Sequence, residues 1–98
     1  MRKLYLNKLK PKEKSMYKVS IEKSVQKTLE KINAPFYSRI KNAILKLAEN
    51  PRPEGYKKLK GREGYWIRVA DYRIIYEIFD EVLLVTVIDL GNRKDIYK

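Results

Sequence analysis

The chain has 98 residues, 44% of them hydrophobic, which is enough for one domain with a modest core. It contains no cysteine and no histidine, which excludes disulfides, thiolate metal sites and imidazole general bases. Its net charge of +11 favours polyanionic partners such as nucleic acid. Because it has neither an apolar run long enough to cross a membrane nor a signal peptide, we expect a cytoplasmic protein with no membrane partner.

The positive charge is concentrated near the N-terminus. Residues 1–15 contain six basic side chains and one acidic one, have no amphipathic period and include Pro11. This pattern predicts a basic tail, either disordered or an extension, ahead of a domain of residues 16–98. Without cysteine or histidine, any chemistry must come from Arg, Lys, Tyr and carboxylate side chains.

The first half of the domain predicts one strand and two helices. A strand is expected at 16–21, followed by a helix over about 23–32 with apolar residues at helical spacing. Asn33 and Ala34 break the chain, and Pro35 suits the first position of a second helix, which runs to Asn50 with a broad apolar stripe. The two helices should form a hairpin.

The second half predicts a small sheet. Residues 51–64 are rich in Pro, Gly and Lys and are interpreted as a polar loop. Strands follow at about 65–70, 72–79 and 82–89, with Asp80 and Glu81 in a tight turn between the last two. The predicted fold class is α+β, with a helical hairpin packed on a largely antiparallel sheet of about four strands.

Two arginines on adjacent strands give the first indication of a site. If the turn at Ala70 and Asp71 is tight, Arg68 and Arg73 lie directly opposite each other on one face of the sheet. Like charges in that position destabilise a strand pair by up to about 1 kcal/mol. We therefore expect an anion between them. Arg73 could instead pair with Glu77 two positions along the same strand.

Four segments, in this order and spacing, resemble the RelE branch of the RelE/ParE toxin superfamily. They are residues 50–53 (NPRP), 58–61 (KLKG), 65–76 (YWIRVADYRIIY) and 88–97 (IDLGNRKDIY). The resemblance covers nearly everything from Met16 to Tyr97 and implies the same α+β architecture. A charged content of 36%, with a single glutamine, is typical of an archaeal or thermophile member.

The resemblance also implies roles for individual residues. Arg73 matches the phosphate-stabilising arginine of the middle strand, Arg93 the arginine that follows the glycine of the last strand, and Tyr97 the near-terminal tyrosine. Arg68 and Trp66 occupy positions where well-known members have lysines. Because arginine keeps its proton, Arg68 can bind phosphate but is a poor proton shuttle, so we expect activity that is weak or depends on the ribosome.

Further residues are candidates for binding RNA. Lys58, Lys60 and Arg62 lie in the predicted loop, where they either contact phosphates or are simply solvated. Trp66 either covers the sheet or stacks on a nucleobase. Tyr97 is a general base, a stacking group or a packed terminal aromatic, and Arg93 either acts on phosphate or compensates Asp89 or Asp95.

By resemblance, the expected function is that of a toxin of a type II toxin–antitoxin system. Such toxins cleave mRNA in the ribosomal A site by attack of a ribose 2′-hydroxyl, with no metal or other cofactor. The implied partners are the ribosome, mRNA and a cognate acidic RelB-like antitoxin, which allows a heterotetramer. Two alternatives stay open: a ParE-like protein that inhibits DNA gyrase without cleaving anything, and an RNA-binding module whose catalytic activity has decayed.

Overall fold

The computed structural model of the chain describes residues 16–92. The elements are β1 (Lys18–Ile21), α1 (Lys23–Glu30), α2 (Phe36–Lys46), β2 (Lys57–Lys58), β3 (Tyr65–Val69), β4 (Tyr72–Phe79) and β5 (Leu84–Asn92), with a 3-10 turn at Asp80–Val82. The tail predicted for residues 1–15 lies outside the described residues, as does the end of the predicted 16–98 domain. Within residues 16–92, no helix is long and apolar enough to cross a membrane.

The five strands form one sheet in the order β1-β5-β4-β3-β2. β1 pairs with β5 in parallel, and the other three pairings are antiparallel. Both helices lie in the chain between β1 and β2, and they pack on one face of the sheet. The predicted α+β class and helical hairpin are therefore confirmed, with five strands in place of about four.

The core lies between the helices and this sheet face. α1 and α2 contribute apolar side chains spaced three or four residues apart, and the strands contribute alternate residues, as their periods require. The buried cluster consists of Val25, Leu29, Ile40, Ile44, Leu47, Ile67, Ile74, Tyr76, Val85, Val87 and Leu90.

A β-bulge in β5 keeps its apolar residues on the core face. Ile75 pairs with Asp89, but the next residue of β4, Tyr76, pairs with Val87, so Ile88 is the extra residue. Val87 and Leu90 are an odd number of positions apart, and without the bulge they would lie on opposite faces. With it, both are buried.

The strand missing from the prediction is β2, which lies inside the expected loop 51–64. Its two residues, Lys57 and Lys58, are both exposed, so no apolar alternation marks it. It exists because the outer edge of β3 accepts it as a pairing partner, with Lys57 opposite Trp66 and Lys58 opposite Tyr65.

Several predicted boundaries were also wrong. α2 starts at Phe36, with Pro35 as its cap, and it ends at Lys46 and not at Asn50. Directly after Lys46 the backbone hydrogen bonds join residues three apart, as from the Leu47 N–H to the Ile44 carbonyl, so the last turn is of the 3-10 type and not α-helical. α1 ends at Glu30 and β1 begins at Lys18. β5 starts at Leu84, because a 3-10 turn and the left-handed Leu83 (φ 53°) replace the expected tight turn, and it extends to Asn92.

Candidate functional site

The candidate site lies on the sheet face opposite the helices, here called the open face. The two-residue turn at Ala70 and Asp71 sets the register between β3 and β4, and Arg68 pairs directly with Arg73 as predicted. Trp66 pairs with Ile75 on the same face. Only Ala70 has a positive φ in this turn, at 54°, a conformation that normally favours glycine.

The side chains of the two opposed arginines turn away from each other. The Cζ atom of Arg73 lies over the Trp66 ring, 4.1 Å from its centroid. Trp66 is two residues before Arg68 in β3, so the Arg73 side chain points away from the turn. The Nε–H of Arg68 donates to the Ala70 carbonyl oxygen at 3.0 Å, toward the turn. The two like charges are therefore kept apart because their side chains point in opposite directions. The opposed pair does not by itself require the bound anion that was expected from the sequence.

The open face is partly apolar beneath these cations. Ile75 is only 7% exposed although it faces away from the helices, and Trp66, its direct cross-strand neighbour, is itself half-buried. Arg73 is half-buried and Arg68 is exposed. A cation against an aromatic and apolar surface is less screened by water than one on an open helix surface, which strengthens its attraction for an anion.

The loop lysines and arginine divide between different parts of the surface. Lys57 pairs with Trp66 and therefore belongs to the open face, whereas Lys58 pairs with Tyr65 and belongs to the helix-facing side. Lys60 and Arg62 are exposed between β2 and β3, at the opposite end of β3 from the Ala70 turn. The sequence analysis omitted Lys57, and its register opposite Trp66 is the signal that identifies it.

A polar network fixes the start of the 51–64 segment. Arg52 donates two hydrogen bonds to the Asp80 carboxylate, at 2.9 and 3.3 Å, and the Tyr17 hydroxyl donates to the same carboxylate at 2.6 Å. The hydrogen bonds from Arg52 and Tyr17 lower the pKa of Asp80, and those with Asp80 raise the pKa of Tyr17 and of Arg52. Arg52 also lies over the Tyr65 ring, 5.5 Å from its centroid.

A buried tyrosine completes this attachment. Tyr76 is 0% exposed, and its hydroxyl donates to the Pro51 carbonyl oxygen at 2.6 Å. Burial raises the pKa of Tyr76, so it stays protonated and acts as a donor. The segment carrying the loop cations is therefore tied to β4 three residues from Arg73. Sequence reasoning missed Arg52 and Tyr76 because their partners are distant along the chain.

β5 carries the chain to the same end of the sheet as the arginines. Gly91 pairs with Arg73, and Asn92, the last described residue, pairs with Tyr72. Arg93 follows Asn92 directly, and Tyr97 four residues later. Both were predicted as site residues, and both lie outside the described residues.

The fold and this face together define a small α+β protein with a cationic, aromatic surface on an open sheet. Residues 19–97 match the family model described as ParE toxin of type II toxin-antitoxin system, parDE. The match covers most of the chain. The chain therefore belongs to this toxin family, and the resemblance found in the sequence is confirmed at that level.

Individual relatives come from the RelE side of the family. The chain is 27% identical over 81 residues to the mRNA interferase toxin RelE of Escherichia coli K12, covering 80% of this chain and 84% of that one. Among solved structures, it is similar to the toxin of the RelE–RelB complex of Pyrococcus horikoshii OT3, with a TM-score of 0.73 and 28% identity over 82% of this chain and 98% of that one. It is likewise similar to the intact E. coli RelBE complex, with a TM-score of 0.68 and 28% identity over 78% and 95%.

Proposed function

We propose that the protein is a cytoplasmic, ribosome-dependent endoribonuclease that cleaves mRNA in the A site and so inhibits translation. The observation that carries this proposal is the half-buried Arg73 guanidinium over Trp66, on the open face and beside Arg68. Similarity to a relative named an mRNA interferase supports the type of reaction.

The reaction is an attack by a ribose 2′-hydroxyl on the adjacent phosphorus. The new O2′–P bond forms as the P–O5′ bond breaks, giving a 2′,3′-cyclic phosphate and a 5′-hydroxyl. The 2′ proton must leave to a base, and the 5′ oxygen must gain a proton. Negative charge builds on the phosphoryl oxygens in the transition state, so a fixed guanidinium accelerates the step. Losing one such donor typically costs about 10²- to 10³-fold in rate.

Arg73 is the proposed phosphate-stabilising residue, and Arg68 supports it. Arg68 already donates its Nε–H to Ala70, which anchors the side chain while its Nη groups extend beyond that bond. Arg93 is proposed to act on the leaving-group side, and Tyr97 as either general base or stacking group. This assignment is supported by the course of β5, which brings the chain to the level of Arg73 immediately before Arg93.

The remaining cations are proposed to bind the RNA backbone. Lys57 lies on the open face opposite Trp66, which is also proposed to contact the RNA, while Lys60 and Arg62 extend the positive surface beyond the start of β3. Lys58, on the helix-facing side of the edge strand β2, would contact RNA that continues around the edge of the sheet. Contacts of this kind position a nucleic acid and add salt dependence without selecting sequence.

We further propose an acidic RelB-like antitoxin as partner, with a heterotetramer as one possible assembly. The structures similar to this chain include RelE–RelB complexes. On the helix side, a largely apolar groove of about 160 Å³ runs between α1, α2 and β1. It is lined by Leu29, Tyr37 and Leu45 and bordered by Glu30 and Lys41. Leu45 is 53% exposed, and an amphipathic helix laid there would bury it.

The charge of α1 favours an acidic partner. Lys23, Lys27 and Lys31 are spaced four residues apart and are all exposed. Like charges at this spacing repel one another along a helix, and carboxylates from a partner would relieve that repulsion. Such peripheral charges mainly govern the association rate, so raising salt should slow association more than it speeds dissociation. Co-expressed antitoxin should restore growth by keeping the protein out of the A site, and arrest that persists despite a stable complex would contradict this mode of inhibition.

Primer extension on mRNA from translating extracts tests the nuclease proposal. Wild-type protein should produce cuts at defined codon positions, and Arg73→Met should slow their formation by about 10²- to 10³-fold while the melting temperature stays near wild type. Arg39→Met is the matched control, because Arg39 is an exposed arginine of α2 on the other side of the sheet. Absence of cuts with folded wild-type protein, or full activity of Arg73→Met, would refute the assignment.

The family model itself favours a second candidate function. It is named for ParE, and a ParE-like protein would bind DNA gyrase without cleaving RNA. In that case the same extracts would contain intact mRNA, and gyrase-dependent DNA damage would accompany growth arrest. A catalytically decayed RNA-binding module would produce neither codon-position cuts nor gyrase-dependent DNA damage.

A further inference from the structure

We propose that Trp66 is a positioning residue that holds the Arg73 guanidinium in the orientation needed to receive the scissile phosphate. This inference rests on the proposed nuclease function and goes beyond it, because the sequence suggests for Trp66 only a cover for the sheet or a stack for a nucleobase. The contact between Trp66 and Arg73 gives it a different role.

The strand register builds this contact. Trp66 pairs with Ile75 and Arg68 with Arg73, so Trp66 and Arg73 are diagonal neighbours on the open face. Diagonal positions are within reach of aromatic and long side chains. The resulting distance of 4.1 Å from Cζ to the ring centroid is well inside the range of about 6 Å for a cation–π interaction.

The indole is itself held in place. Ile75 lies opposite it on β4 and is 7% exposed, and Lys57 lies opposite it on β2. Trp66 is therefore on an inner strand with a pairing partner on either side, and its ring is half-buried. A ring held in this way can restrict the rotamers of the Arg73 side chain that stacks on it, whereas an arginine on an open surface samples many rotamers.

Stacking suits phosphate binding for a geometric reason. The interaction with an aromatic ring uses the flat face of the guanidinium, while phosphate oxygens bind to the N–H groups at its edge. Trp66 can therefore orient Arg73 without competing for the groups that bind the substrate. The ring face covered by Arg73 is closed to a nucleobase, which argues against base stacking on that face.

A double-mutant cycle on programmed ribosomes tests the proposal. Trp66→Leu keeps an apolar cover over Ile75 but removes the π face, and Trp66→Phe retains a smaller one. We expect Trp66→Leu to lower the single-turnover cleavage rate by about 5- to 30-fold, the range that corresponds to a cation–π contact, with little change in KM. Trp66→Phe should recover most of the rate.

In the Arg73→Met background, Trp66→Leu should cause no further loss, because the residue it positions is absent. Multiplicative losses in the double variant would overturn the proposal and assign Trp66 an independent role, such as base stacking. A rate loss in Trp66→Leu that Trp66→Phe fails to recover would also overturn it. Melting temperatures of each variant separate these outcomes from simple unfolding.

Fluorescence provides a readout besides activity. Trp66 is the single tryptophan of the chain, so its emission and its quenching by acrylamide report on this site alone. Arg73→Met should increase quenching, whereas Arg68→Met, the neighbouring arginine that bonds to Ala70, should not. Unchanged quenching in Arg73→Met would overturn the contact. If folded wild-type protein makes no cuts, the nuclease proposal fails and the positioning role fails with it. If wild type cuts but the cycle is multiplicative, only the positioning role fails.

Discussion

Replacing Tyr76 with phenylalanine removes one hydroxyl from the center of the protein. The Tyr76 side chain is 0% exposed, and its hydroxyl donates at 2.6 Å to the carbonyl of Pro51, which is also buried. Phe would leave that carbonyl without its donor in a site that water does not reach. An unsatisfied buried acceptor costs about 1–3 kcal/mol, so Tyr76→Phe should lower the free energy of unfolding by that amount.

The loss should be visible in thermal unfolding. For a domain of this size, each kcal/mol shifts the melting temperature by roughly 4–8 °C. Circular dichroism melts of Tyr76→Phe should therefore be lower than wild type by at least about 4 °C. Tyr56→Phe is the matched control, because it removes the same hydroxyl from an exposed side chain, and it should melt near wild type. Equal melting temperatures for all three proteins would refute the role of this hydrogen bond.

Three further substitutions test the surrounding structure. Arg52 and Tyr17 hold the pKa of Asp80 low, so the stabilisation from this carboxylate is present above its unfolded pKa of about 4 and is lost as pH falls below that value through the lower folded pKa. Asp80→Asn should therefore flatten the fall in melting temperature below about pH 4, and an unchanged acid profile would refute the linkage. Gly64→Ala would place a Cβ 2.9 Å from Leu59 Cδ1 and 3.4 Å from the Tyr76 carbonyl oxygen at a φ of +121°, whereas Gly55→Ala, at a φ of +91°, meets open space. Gly64→Ala should therefore destabilise the protein more, and equal melting temperatures would contradict this crowding at Gly64. Ala70→Gly should raise the melting temperature only slightly, because relief of about 1–2 kcal/mol of left-handed strain at φ 54° is partly offset by about 0.4–1 kcal/mol from the greater freedom of glycine in the unfolded chain. A clearly lower melting temperature would contradict that strain.

Much of the fold could be predicted from periodicity. Alternation in β3 and β4 placed Arg68 opposite Arg73 on one face of the sheet, as the structure confirms. β2 could not be predicted, because Lys57 and Lys58 are both exposed and pair only through backbone bonds. The bulge at Ile88 was also invisible, since a strand with an extra residue no longer alternates.

Part of the geometry of the candidate site could be predicted from the sequence, but the directions of its side chains could not. The sequence indicated which cations share the open face of β3 and β4, yet it suggested an anion between Arg68 and Arg73 where the side chains instead diverge. Which way a long side chain turns depends on its diagonal neighbour, here Trp66. Arg52 escaped notice because its partner Asp80 is 28 residues away and no local pattern relates the two.

The central claim is tested most directly on purified ribosomes carrying an mRNA with a defined codon in the A site. After a single turnover with wild-type protein, the account predicts one cut within that codon, a 2′,3′-cyclic phosphate on the upstream fragment and a 5′-hydroxyl on the downstream one. Arg73→Met should slow this cut by about 10²- to 10³-fold. Uncut mRNA with folded wild-type protein, or the same rate with Arg73→Met, would contradict the account.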